Sequence, residues 1–304
     1  MIGKALITGL LLLSARCFAP EARLPPERIR SEQTGVQGMA RKSLLYVPTD
    51  IERSTPRLYP LVLVFHERDG DPQSIVRLSR NRFQELAEAR RFFVAFPVAL
   101  NGRWRNADVL FVRLLLDELI RNYPIDPKQI YAAGFDGGAF FTLQLVCEAP
   151  DRIRAAAVIS GGLRRDQICA FTQPVSILIA HGTADPIVPY DGGEMRVVRE
   201  SLGYALPFQE TTRRLRMGLG CADSPDTVIH TNRLPDDRTS ITTERYDRCQ
   251  SRHRLHVVTI HGGGHTWPDG WSSVPPEIVG PLSEEWNAAD RSIDFFFTGN
   301  EEPL

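Results

Sequence analysis

From about residue 42 onward, short apolar runs rich in β-branched residues alternate with stretches whose apolar positions recur every three or four residues. The strand-like runs are Leu44–Val47, Leu61–His66, Phe92–Pro97, Ile130–Gly134, Ala155–Ser160, Val175–His181 and His256–His261. Several are apolar throughout instead of alternating, which is the pattern of a strand covered on both faces. Helical spacing predicts helices over roughly 74–90, 108–122, 137–148, 191–202 and 286–297. In the second of these, Val109, Val112, Leu115, Leu116 and Ile120 make one apolar face. Alternation at this rhythm predicts an α/β domain over residues 42–298, a mostly parallel sheet with helices on both faces. Residues 20–41 carry Pro and Arg without a period and read as an irregular lead-in. Residues 204–254 are polar, Arg-rich and hold two cysteines, so they read as an excursion from the domain.

The first residues change the picture. Lys4, an apolar run from Ala5 to Leu13, and small residues at Ser14 and Ala15 have the layout of a secretory signal peptide, here assigned to residues 1–19 with an uncertain cleavage site. The run is too short for a permanent membrane span, and no later segment is long and apolar enough for one. Cys17 raises lipid attachment, but Arg16 stands where a small residue is expected, and the reading is secretion to a periplasmic or extracellular space. The formal net charge of −1 lacks the basic excess that neutralising nucleic-acid phosphates requires. In an exported chain, the four remaining cysteines, Cys147, Cys169, Cys221 and Cys249, suggest two disulfides. Three pairings are open; neighbours in sequence favour Cys147 with Cys169 and Cys221 with Cys249. No Cys-x-x-Cys or tight Cys/His spacing points to zinc, and no motif calls for a cofactor.

Three positions carry candidate chemistry. Gly134-Phe135-Asp136-Gly137-Gly138 joins a predicted strand to a predicted helix, the place where hydrolases of this architecture hold a nucleophile on a strained turn. Asp185 follows the strand ending at His181, at the carboxyl edge where functional carboxylates of open α/β sheets gather, although a turn residue before Pro186 is the plainer account. His265 follows three glycines, Gly262 to Gly264, which let a loop approach another site closely. Elbow, acid, then histidine, each after a strand, is the chain order of the α/β-hydrolase fold.

With these motifs the chain resembles the secreted esterases that include feruloyl esterases and polyhydroxybutyrate depolymerases. The resemblance runs from about residue 42 to 297 and rests on Leu44-Leu45-Tyr46-Val47-Pro48, Asn101-Gly102-Arg103-Trp104, Ile125-Asp126-Pro127, Ile130-Tyr131, the 181–193 segment and Gly262-Gly263-Gly264-His265-Thr266-Trp267-Pro268. It implies that Asp185 is the triad acid, that His265 is the base, and that Cys221 and Cys249 match a cysteine pair common in the family. It also implies an extracellular ester, phenolic or polyester-like ligand.

The chain departs from that family at three places. Asp136 stands where the nucleophilic serine belongs, with Gly137 for the following asparagine. The loop after the second strand reads His66-Glu67-Arg68-Asp69-Gly70, where relatives have a glycine and small residues supplying an oxyanion-hole N–H; Glu67 and Arg68 are expected to reshape it. A tryptophan usual before Cys221 is absent from 213–220. A carboxylate cannot supply an alkoxide, and its attack on an ester would give an uphill anhydride, so serine-type acyl transfer is expected to be lost. Ser160, in Ser160-Gly161-Gly162, does not replace it.

Two readings follow from the exchange. The preferred one keeps the fold and loses catalysis. The alternative makes Asp136 a nucleophile at saturated carbon, as in haloalkane dehalogenases and epoxide hydrolases, with His265 activating water, Asp185 orienting it, and Trp104 or Trp267 as weak candidates to assist the leaving group. Ester hydrolysis retained by another route, or a metal held by Asp136, Asp185 and His265, ranks below both.

Overall fold

The computed structural model describes residues 28–51 and 56–298. The signal-peptide reading and Cys17 lie outside them.

The chain enters the sheet earlier than the sequence suggests. Strands β1 (Ile29–Val36) and β2 (Met39–Tyr46) form an antiparallel hairpin turning through Gln37-Gly38, both at positive φ. The expected irregular lead-in over 20–41 is therefore incorrect for its second half. Its mixed polar sequence suits an edge hairpin, which has one solvated face and lacks the apolar run that marks a buried strand. β3 (Tyr59–Phe65), β4 (Phe93–Pro97), β5 (Ile125–Phe135), β6 (Ala155–Ile159), β7 (Ser176–Gly182) and a later strand over Leu255–His261 are the predicted buried ones. Between them lie helices α1 (Pro72–Leu78), α2 (Arg82–Arg90), α3 (Asp108–Asn122) and α4 (Gly137–Glu148). The single helix expected over 74–90 is broken, because Arg80 and Asn81 adopt positive φ between α1 and α2.

The helix expected over 191–202 is instead a two-stranded hairpin, β8 (Gly193–Val197) with β9 (Glu200–Ala205). Two adjacent glycines at positive φ open it, and Val198 at positive φ turns it, none of which a helix accommodates. Residues 204–254 are not an excursion from the sheet. After α5 (Phe208–Gly218), strands β10 (Thr227–Thr231) and β11 (Ser240–Tyr246) pair onto β12 (Leu255–His261) and extend the sheet. The chain closes with α6 (Pro276–Val279) and α7 (Ala288–Phe297).

The ten-stranded sheet has the order β1-β2-β4-β3-β5-β6-β7-β12-β11-β10. The central strands β4, β3, β5, β6, β7 and β12 run parallel, and each edge carries antiparallel strands. Period-two alternation sends successive residues of each central strand into opposite layers. Leu61, Leu63 and Phe65 pack with α3, α4 and α5, whereas Val62 and Val64 pack with α1, α2 and α7. Both layers are apolar, which is why these strands read as continuous runs. Parallel strands all end on one edge, so β3, β5, β7 and β12 deliver the loops holding Arg68, Asp136, Asp185 and His265 to the same side of the sheet. This is an α/β-hydrolase fold. Among the described residues no helix is long and apolar enough to cross a membrane.

Disulfides Cys147–Cys169 and Cys221–Cys249 are both formed. The first ties the end of α4 to the loop after β6, and the second ties the end of α5 to the segment before β12. Peptide mapping of the unreduced protein should find none of these four cysteines alkylated, and removing either bridge by paired Cys→Ser exchange should cost about 2–5 kcal/mol in a denaturant titration.

Candidate active site

The elbow is built by close packing. Asp136 adopts φ 50° and ψ −117°, a conformation that costs on the order of 1–3 kcal/mol and needs its surroundings to hold it. A Cβ on Gly138 would lie 2.2 Å from the Phe65 carbonyl oxygen, so only glycine lets α4 start this close to β3. The turn lifts the Asp136 side chain above the sheet edge and aims the first N–H groups of α4 at it.

There the carboxylate is divided between two sets of donors. Oδ2 accepts from the Arg68 backbone N–H at 2.9 Å, and the Gly137 N–H also donates to the carboxylate. Oδ1 lies 3.4 Å from His265 Nε2. On the other side of the ring, His265 Nδ1 is 2.8 Å from Asp185 Oδ2. The second oxygen of Asp185 accepts from the Ile187 and Val188 N–H groups at 2.9 and 2.8 Å, so Asp185 is both the turn residue and the orienting acid. The glycines before His265 work as expected at one position: a Cβ on Gly264 would meet the Val279 carbonyl oxygen at 2.3 Å.

All three groups are nearly or fully shielded from water. Burial pulls the His265 imidazolium down, but Asp185 and Asp136 outweigh it and push the ring up to about 10. Burial likewise raises the Asp136 carboxyl, and the hydrogen bond and charge of His265, with the Arg68 and Gly137 N–H groups, bring it below the usual carboxylate range. The resting state is thus a buried carboxylate–imidazolium–carboxylate array. Among the described residues no group of three or more His, Cys, Asp or Glu side chains is placed to hold a metal ion.

The residues expected to spoil the oxyanion loop behave differently. The Arg68 guanidinium turns away from Asp136 to Asp69 and Glu200, at 2.9 and 3.2 Å, and its backbone N–H still points into the elbow. Glu67 and Arg68 have not displaced that donor. Burial pushes the Glu67 carboxyl up, with Asp136 and Asp71 adding to it, and the side chain lines the cavity beside Asp136. Trp104 is not a leaving-group donor, because its Nε1–H is spent on the His66 carbonyl at 2.9 Å. Trp267 is 1% exposed and its Nε1 has no partner among the described residues. Ser160 is buried, its hydroxyl 3.4 Å from the Thr266 carbonyl.

A cavity of about 320 Å³ opens onto Asp136 and His265, with Phe135, Ile187, Val197, Trp267, Trp271 and Val279 in its wall. Val197 comes from the β8–β9 hairpin, which the sequence does not place at the site. An ion cluster holds that hairpin: Arg103 pairs with Asp69 and Glu200 at 2.9 and 3.1 Å, and Arg68 pairs with the same two carboxylates. Arg103 sits in a motif that marks the segment, whereas nothing in the sequence points to Glu200, which lies in the stretch with helical spacing over 191–202.

Comparison with known proteins agrees with this architecture. The phospholipase/carboxylesterase family profile matches residues 106–202, from just before α3 into the β8–β9 hairpin. Feruloyl esterase B of Piromyces equi is 31% identical over 171 residues, covering 54% of this chain but only 30% of that protein. Feruloyl esterase D of Neurospora crassa is 25% identical over 281 residues, covering 86% of this chain and 89% of its own. An acetyl xylan esterase structure from Aspergillus awamori superimposes with TM-score 0.58 at 17% identity, over 88% of this chain and 98% of that one, and shows the shared fold. The protein is an α/β-hydrolase-fold chain similar in sequence to carboxylic-ester hydrolases.

The charge array has a measurable pH signature. With a folded value of about 10 against an ordinary 6.5, His265 stabilises the fold fully below pH 6.5, and this contribution is lost as pH rises through 10. Asp136 is the other half of the same ion pair; its contribution is present above its ordinary 3.8 and is lost as pH falls through the depressed folded value. Melting temperature should therefore decline from neutral to alkaline pH more steeply in the wild type than in Asp136→Asn. A His265 ring that titrates near 6.5 by NMR would contradict the array.

Proposed function

We propose that this is a secreted binding protein on an esterase scaffold, which holds an ester, phenolic or polyester-like ligand in the triad cavity without cleaving it by acyl transfer. One observation carries the reading: the Arg68 and Gly137 N–H groups, the pair that would stabilise a substrate oxyanion, are occupied by the protein's own Asp136 carboxylate. Asp185 and the same Asp136 carboxylate together push the His265 ring up to about 10, and a protonated ring cannot act as a general base. The two disulfides suit an oxidising compartment, and relatives named as feruloyl esterases indicate the ligand class.

The decisive experiment restores serine. Wild type should show no hydrolysis of 4-nitrophenyl acetate above background. Asp136→Ser removes the charge, frees both N–H groups and lets the His265 pKa fall, and should raise the rate at least roughly 100-fold, a small part of the ~10⁶ that a triad nucleophile supplies. That activity should vanish in the double variant with His265→Ala. Wild-type turnover dependent on His265 would sink the reading.

A specific feature supports a second one. Anchoring Oδ2 on the Arg68 N–H leaves Oδ1 beside a proton-bearing imidazolium and a largely apolar cavity. Oδ1 could then attack an epoxide carbon as the C–O bond breaks, with the alkoxide taking the His265 Nε2 proton. The ring, now neutral, would deprotonate the water that attacks the Asp136 ester carbonyl, releasing a diol and regenerating the carboxylate. On this reading His265→Gln incubated with styrene oxide should accumulate a covalent adduct on the peptide containing Asp136. An unmodified peptide would dismiss it.

A further inference from the structure

A second cavity, of about 370 Å³, lies against Gly137 and does not include the triad side chains. Trp104, Phe140 and Phe141 give it an aromatic wall, with Trp104 stacked on Phe141 at 4.7 Å between ring centroids. Its polar lining includes Arg164 and Gln167, from the loop that follows β6.

Both are held in place with binding capacity left over. The Arg164 guanidinium lies 4.9 Å over the Phe140 ring and gives one N–H to the Leu202 carbonyl at 3.1 Å, yet it forms no ion pair among the described residues. Burial pulls it below its ordinary value, partly offset by the charges of Asp166 and Asp136, and an arginine so desolvated is still a cation. The Gln167 amide is oriented by its Oε1, which accepts the Arg164 backbone N–H at 3.2 Å. That leaves Nε2 a buried donor with no partner among the described residues. A half-buried cation and an unused amide donor each carry a desolvation penalty that an incoming anion would relieve.

The surroundings keep this arrangement rigid. Cys147 lines the cavity, and its disulfide to Cys169 pins the Gln167 segment against α4. Two carboxylates also reach the cavity, but Glu148 and Asp166 are solvent-exposed at its rim, and Glu148 already accepts from Gln144 at 2.9 Å. Exposed charges are screened by water and salt more than the half-buried guanidinium is.

We propose that this cavity is a binding site for small aromatic carboxylates, with Arg164 and Gln167 Nε2 taking the carboxylate and the Trp104–Phe140 wall taking the ring. The site is separate from the triad, so it does not depend on whether Asp136 is inert or nucleophilic.

Calorimetric titration with benzoate, benzamide and acetate tests it on the intact, oxidised protein. Benzoate should bind saturably, and benzamide and acetate at least roughly tenfold more weakly, since each lacks one half of the recognition. Arg164→Gln should weaken benzoate by roughly tenfold or more, as expected for loss of a charge-assisted hydrogen bond. Because Arg164 also packs on Phe140, Gln167→Leu provides a second variant that leaves the cation in place and should still weaken benzoate severalfold. Asp136→Ser removes a negative charge that acts on Arg164 and should not weaken benzoate. Equal binding of benzamide would overturn the proposal, as would benzoate affinity that is weakened by Asp136→Ser but by neither Arg164→Gln nor Gln167→Leu.

Discussion

Two carboxylates facing one imidazole in a place nearly closed to water set the terms for the whole carboxyl edge of the sheet. An ion taken from water without partners costs several kcal/mol, so such an array persists only where every lone pair is met. Asp185 meets this with the Ile187 and Val188 N–H groups, and Asp136 with those of Arg68 and Gly137. All four donors are backbone groups on loops fixed by parallel strands, so the site inherits its rigidity from the sheet. The elbow strain at Asp136 is held in the same way, by the contact of Gly138 with β3.

An aspartate at the elbow differs from a serine more in electrostatics than in size. With serine at the elbow, the histidine faces one carboxylate and can cycle between neutral and protonated forms. With Asp136 it faces two, and the proton stays. The donors that serve a transient oxyanion in an acyl-transfer enzyme here serve a permanent one. On the proposed reading one carboxylate both occupies the Arg68 and Gly137 N–H groups and holds the ring protonated, with Asp136, His265 and Asp185 still within reach of one another. Glu67 and Arg68 leave the loop N–H in place, and what they add is lateral: a carboxyl in the cavity wall and an arginine that ties the loop to the β8–β9 hairpin.

That hairpin gives the cavity part of its wall and is held by charges that lie largely at the surface. Asp69, Arg103 and Glu200 are each close to half exposed, so the ion cluster positions the hairpin without contributing much to global stability. The disulfides act differently, constraining the chain covalently where α4 and α5 end. The second cavity owes its shape to one of them, since its polar lining comes from a segment with little regular structure of its own.

The sequence by itself determined the buried strands, the long helices α3 and α4, and the chain order of elbow, acid and histidine, and it favoured the observed cysteine pairing without excluding the other two. Each depends on local pattern: continuous apolar runs, helical spacing, glycines at a tight turn, and neighbours along the chain. Tertiary structure decided what pattern could not carry. The edge hairpin over 29–46 and strands β10 and β11 are stabilised by joining an assembled sheet at its edges, with one half-covered face, so their own residues read as polar and irregular. The hairpin over 193–205 arises where two glycines and a turn at Val198 override an apparent helical spacing. Above all, the sequence showed an aspartate at the elbow but not where its oxygens go. That depends on distances between loops from β3, β5 and β12, and those are fixed only once the sheet has assembled.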